Sequence, residues 1–140
     1  MKKTLLTVIL ATALFSANAQ DNPRITTLDL TAPELAHYMA PGWNLGNTME
    51  AGNNANNFTN DAGVSSETSW QSTKTSQAVI DLVKQQGFKS VRIPCSWVMG
   101  HITDANNMTI DPAWLARVKE IVNYCINDNM YVVLNDHWDG

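Results

Sequence analysis

Phe88-Lys89-Ser90-Val91-Arg92-Ile93-Pro94 is the stretch whose reading decides the fold. It follows Gly87, alternates β-branched with polar residues and is closed by Pro94, so it reads as a strand. On its N-terminal side a helix begins at Thr75. Val79, Leu82, Val83 and Gln86 mark one face, Ile80 widens it, and Gly87 stands where a helix C-cap is expected. On the other side a loop holding Trp97 and His101 runs to Asp111-Pro112, where Asp111 caps a second helix and Pro112 takes its first position. The stripe of that helix is Leu115, Val118, Val122 and Cys125, with Ile121 beside it, and Tyr131-Val132-Val133-Leu134 follows as a strand. Further out, Thr31-Ala32-Pro33-Glu34 has the form of a capping box opening a short helix to about Met39. Pro41-Gly42 stops it, Trp43-Asn44-Leu45-Gly46-Asn47 reads as the first strand, and an Asn-rich polar loop spans Gly52 to Ser66.

Apolar strands alternating with amphipathic helices imply an α/β protein with a parallel sheet. A doubly wound sheet and a (β/α)8 TIM barrel both fit. No G-x-G-x-x-G opens either helix, which weakens the dinucleotide-binding alternative. Long loops follow the first two strands, whereas the helix-to-strand turns at Gly87-Phe88 and Asn127–Met130 are short. Barrel enzymes concentrate function in the strand-to-helix loops, so the asymmetry favours a barrel. Only about the first three βα units are present, and the sequence stops just after a strand, at His137-Trp138-Asp139-Gly140. It therefore reads as the truncated N-terminal part of a catalytic barrel.

The start of the chain sets the expected compartment. Lys2 and Lys3 precede an uncharged apolar run, and Ala17-Asn18-Ala19 has the small-x-small form of a cleavage site. Residues 1–19 are thus expected to be a secretory signal peptide and residues 20–140 the secreted part. The run is shorter than the roughly 20 residues that span a bilayer, so no membrane insertion is expected after cleavage. Loss of the leader leaves 7 basic and 13 acidic residues, a balance that disfavours nucleic acid and suits a neutral partner. Cys95 and Cys125 each lie in an apolar segment, where a buried thiol is the ordinary reading and a bridge the alternative.

Polar residues gather where the strands end. Alternation puts Arg92 on the face opposite Val91 and Ile93; there it needs a carboxylate, in a site or in a structural ion pair. His137 and Asn135 share a face at the end of the third strand, and Asn44 and Asn47 end the first. One such group is unremarkable; three strands doing the same at one end point to a site. Tryptophan is abundant, and indole stacks on the apolar faces of sugar rings as well as in cores. Trp97 and Trp138, just past strand ends, suit a carbohydrate cleft, while Trp114 at a helix start suits packing. His37, His101 and His137 lack metal-ligand spacing, and neither H-E-x-x-H nor G-x-S-x-G occurs.

Four segments in series resemble glycoside hydrolase family 5: Gly42-Trp43-Asn44-Leu45-Gly46-Asn47-Thr48-Met49-Glu50, Glu67-Thr68-Ser69-Trp70, Gly87–Pro94 and Asn135-Asp136-His137. The resemblance runs from about Leu30 to Gly140. It implies a retaining enzyme on a (β/α)8 barrel, with no cofactor and no metal, monomeric when full length. It also implies that the two reacting glutamates lie on strands beyond Gly140, so the chain alone is expected to be inactive. On this resemblance Arg92 matches the arginine that orients the nucleophile, and His137 a histidine lining the site around the cleaved sugar. Asn44 matches the strand-one asparagine, and Trp97 and His101 lie where substrate contacts are often placed. Trp138 stands where many members have a second histidine, so stacking is expected in place of that contact. The implied substrate is a plant cell-wall β-1,4-glucan: cellulose, mixed-linkage glucan or xyloglucan. A hemicellulase such as a β-mannanase, or a non-catalytic carbohydrate-binding barrel, is the alternative.

Overall fold

The computed structural model describes residues 30–52, 63–98, 100–137 and 139. The expected signal peptide, most of the Asn-rich loop and Trp138 lie outside the described residues. Helix α1 (Ala32–Met39) leads to strand β1 (Gly42–Asn44), a 3-10 helix (Gly63–Thr68), helix α2 (Gln77–Gln85) and strand β2 (Ser90–Cys95). A hairpin of β3 (Ile102–Asp104) and β4 (Thr109–Ile110), helix α3 (Pro112–Asn127) and strand β5 (Tyr131–Asp136) complete it. The fold is α/β: β1, β2 and β5 form a parallel sheet in that order, with Asn44 opposite Arg92 and Ile93 opposite Leu134.

Local chemistry accounts for the element ends. The Glu34 carboxylate accepts the Thr31 N–H at 2.8 Å and the Thr31 hydroxyl at 2.6 Å, closing the expected capping box. Asp111 accepts the Ala113 N–H at 2.8 Å to start α3. Gly87, at φ +92°, ends α2 in the left-handed region while its N–H reaches the Lys84 carbonyl at 2.9 Å. Asn129, at φ 54°, does the same for α3 and lets Met130 bond back to the Cys125 carbonyl.

Two helices cover one face of the sheet. Val91, Ile93 and Cys95 of β2 pack with Ile80 and Val83 of α2 and with Trp114, Val118, Ile121 and Cys125 of α3. The periodicity named the right helices but placed their buried stripes off by part of a turn. Leu82 is 58 % exposed and Leu115 50 %, while Ile80 and Trp114 are fully buried. Each helix carries two adjacent apolar rows, and contact with the sheet chooses between them. Both cysteines are free and buried; burial pushes the Cys125 thiol up to about 11 and that of Cys95 further still.

Three details depart from the expected elements. β1 is shorter, ending at Asn44, and Leu45 turns into the core. The two long loops carry structure, a 3-10 helix and a hairpin, that hydrophobic periodicity does not register. Pro94 lies inside β2, opposite Asn135, instead of closing the strand. The Arg92 carbonyl faces β1, where it accepts the Leu45 N–H at 2.9 Å. The backbone of Pro94 points the same way two residues on, past the end of β1, where no ladder donor is needed.

Candidate active site

The site is built at the C-terminal ends of β1, β2 and β5. Register places Asn44 beside Arg92, and the Arg92 Nη1 donates to the Asn44 Oδ1 at 2.5 Å. Arg92 thus meets an amide oxygen where sequence reasoning called for a carboxylate. Both ion pairs among the described residues belong to Arg117. Arg92 is only partly buried, so the full cost of an unpaired buried cation does not arise.

Gly46 protects this contact. A Cβ there would come within 2.9 Å of the Asn44 side-chain nitrogen and 3.5 Å of a Glu50 oxygen. Glu50 is itself committed: its carboxylate accepts the N–H groups of Asn47 at 2.6 Å and Thr48 at 3.0 Å, tying the turn after β1.

At the end of β5 alternation carries Asn135 and His137 to the same face as Arg92. Asn135 donates to the Asp136 carbonyl at 2.8 Å, and its own oxygen has no hydrogen-bond partner among the described residues. The His137 N–H extends the ladder to the Cys95 carbonyl at 2.9 Å. Its carbonyl accepts the Ser96 hydroxyl at 2.5 Å. Trp97 is half-buried against the core, and its N–H and that of Val98 donate to the Asp139 carboxylate at 2.7 and 3.0 Å. Burial and the neighbouring Asp136 carboxyl hold Asp139 above the usual carboxylate range, against those two donors.

Asn44, Arg92, Asn135 and His137 are therefore brought together, with Trp97 beside them. His101 is not. Its ring is fully buried and stacks on Trp114 with centroids 3.7 Å apart and planes 2° from parallel. Its Nε2 lies 3.2 Å from the Ser66 hydroxyl. In this fold it joins the 3-10 helix to α3 and is removed from the open face. The Trp114 indole and the Ser66 hydroxyl hold the ring inward, away from the strand-end residues.

A buried ion pair went unread in the sequence. Glu67 is fully buried, and Arg117 meets it with two parallel bonds of 2.9 and 2.8 Å. The same guanidinium reaches the Thr75 carbonyl at 2.6 Å and Glu120 at 2.6 Å, while Thr75 donates its N–H to Glu67 at 2.8 Å. These bonds fasten the loop after β1 to α3. Its partners lie far apart in sequence, beyond the reach of any local spacing rule. The acid in Glu67-Thr68-Ser69-Trp70 was the only signal.

The family profile for Cellulase (glycosyl hydrolase family 5) matches residues 50–140. The chain belongs to glycoside hydrolase family 5. Within it, the chain is 42 % identical over 127 residues to endoglucanase A of Ruminococcus albus, covering 84 % of this chain and 33 % of that enzyme. A xyloglucan-specific β-1,4-glucanase from a ruminal metagenomic library, solved with the oligosaccharide XXLG, is 59 % identical with a TM-score of 0.64, covering 75 % of this chain and 24 % of that one. A broad-specificity endoglucanase from Ruminococcus champanellensis with bound cellotriose is 43 % identical with a TM-score of 0.73, covering 82 % and 33 %. The chain thus spans a third or less of the length of these relatives. The parallel β1-β2-β5 sheet and its helices correspond to part of the family 5 barrel.

Proposed function

We propose that this chain supplies about the first three strand–helix units of a secreted, monomeric, retaining endo-β-1,4-glucanase acting on plant cell-wall glucans. The observation that carries the reading is the shared face of Asn44 and Arg92, bonded at 2.5 Å, with His137 joining it by alternation. In this reading Arg92, steadied by Asn44, holds the nucleophilic carboxylate ionised and oriented. His137 lines the site around the cleaved sugar, and Trp97 and Trp138 offer indole faces to neighbouring rings. Retention needs two carboxyls about 5 Å apart, one attacking the anomeric carbon and one protonating the leaving oxygen. We assign neither to this chain, because Glu50 and Glu67 are taken up by backbone and by Arg117. No cofactor or metal enters the mechanism.

The glucan preference rests on the likeness to endoglucanases, among them one specific for xyloglucan and one holding cellotriose. The complete gene product, assayed on xyloglucan, mixed-linkage glucan, carboxymethylcellulose and mannan, should cleave the glucans and release the β-anomer first. Preference for mannan, or release of the α-anomer, would sink the assignment. Residues 20–140 alone should release no sugar, and the secreted protein should begin at Gln20.

A further inference from the structure

The segments leaving β2 and β5 hold each other. Ser96, just past β2, is fully buried, and each of its polar groups is used. Its N–H donates to the Met49 carbonyl at 3.0 Å, its carbonyl accepts the Trp114 indole N–H at 3.0 Å, and its hydroxyl donates to the His137 carbonyl at 2.5 Å. In return Asp139, just past β5, accepts the N–H groups of Trp97 and Val98. These three crossed bonds close a clasp around His137 and Trp97.

The geometry points to Ser96 and Asp139 as positioning residues, the first aiming His137 and the second seating the Trp97 platform. The inference rests on the proposed glucanase site and adds to it how two of its residues are held. Both backbone groups of His137 are tied to the end of β2 and the residue after it, the N–H to Cys95 and the carbonyl to Ser96, so the direction in which its ring leaves the main chain is fixed from both sides. Remove the serine hydroxyl and one of the two restraints is gone. The ring then samples directions that the chemistry does not use, and small misplacements near reacting atoms lower turnover steeply. Asp139 acts on a different part of the site. Its carboxylate orders the first two peptides of the loop carrying Trp97, and a platform that must be ordered anew by each substrate binds it less well.

The test uses the complete gene product and a chromogenic cello-oligosaccharide. Ser96→Ala should lower kcat about tenfold or more with KM little changed. Ser96→Thr, which keeps the hydroxyl, should recover most of that loss. Asp139→Ala should raise KM severalfold and leave kcat near the parent's. This split is the readout that a merely structural role would not produce. Parental kcat and KM in both alanine variants, or equal losses in both parameters from both, overturn the inference. Should Ser96→Ala fail to fold, Asp139→Ala decides alone: an unchanged KM overturns it. His137→Ala separates the two layers. If it keeps parental kcat, the reading of the site has failed; if it is impaired while Ser96→Ala is not, only the clasp has failed.

Discussion

Arg117 spends every donor of its guanidinium on groups from three separate stretches of chain, and Glu67 has no access to water in which to compensate its loss. Removing one partner of a buried ion pair costs far more than the pair contributes, because a charge stays behind in a poor solvent. Arg117→Met is expected to destabilise the protein by about 3–5 kcal/mol. The double variant Glu67→Gln with Arg117→Met should recover a large part of that, as urea midpoints of the single and double variants would show. His101 makes the complementary case. His101→Ala forfeits its stack on Trp114 and leaves a void, for a loss of about 2–3 kcal/mol. The KM for glucan should stay at the parental value, because the ring is fully buried against Trp114. A KM rise of tenfold would return His101 to the substrate.

At the scale of elements, the ends of α2 and α3 are where single changes speak clearly. Gly87 sits at φ +92° with open space where a Cβ would be, so Gly87→Ala meets backbone strain and no clash. A loss of about 1 kcal/mol is expected, read as a fall in melting temperature. Asp128 caps α3, and burial together with the facing Asp81 raises its carboxyl above the ordinary value of 3.8. A raised carboxyl binds its proton more tightly in the folded state. Its stabilising contribution is therefore complete below 3.8 and is lost as pH rises through the elevated value. Asp128→Asn has no charge to lose. Its melting temperature should exceed the parent's at neutral pH, and the gap should narrow on acidification toward 3.8. A gap that widens on acidification would contradict this cause.

Most elements were legible because their signals are local. The capping box at Thr31 and Glu34, Asp111-Pro112 and Gly87 each act within a turn of helix, and the structure uses all three as read. The strand-end face of Asn44 and Arg92 was legible for a related reason, since alternation is a property of the strand itself. What stayed hidden depends on contacts between distant segments: the choice of Ile80 over Leu82, the inward turn of His101, the Glu67–Arg117 pair and the clasp at Ser96. Pro94 was misread by a rule that is sound for central strands and gives way where the neighbouring strand has already ended.

For the molecule as a whole, the sheet ends in strand β5, whose outer edge has no partner among the described residues. Val133 is 39 % exposed on one face of that strand and Leu134 43 % on the other. An unpaired apolar edge is a template for pairing with other chains. Residues 20–140 expressed alone should aggregate, by sedimentation of the lysate, and Leu134→Lys should shift material into the soluble fraction. If the isolated chain instead melts cooperatively as a monomer, the edge is less of a liability than its exposure implies.

The register of the sheet has a consequence during synthesis. Each strand of the parallel sheet pairs with the sheet strand made before it, β2 across residues 45–89 and β5 across residues 96–130. A ribosome releasing this chain delivers β1, then β2, then β5, and every newcomer finds its dock already built. The nascent sheet therefore grows outward from β1 one strand at a time, with the latest strand as its advancing edge. Whatever chaperone attends this polypeptide meets the same kind of surface over and over, shifted outward by one strand each time.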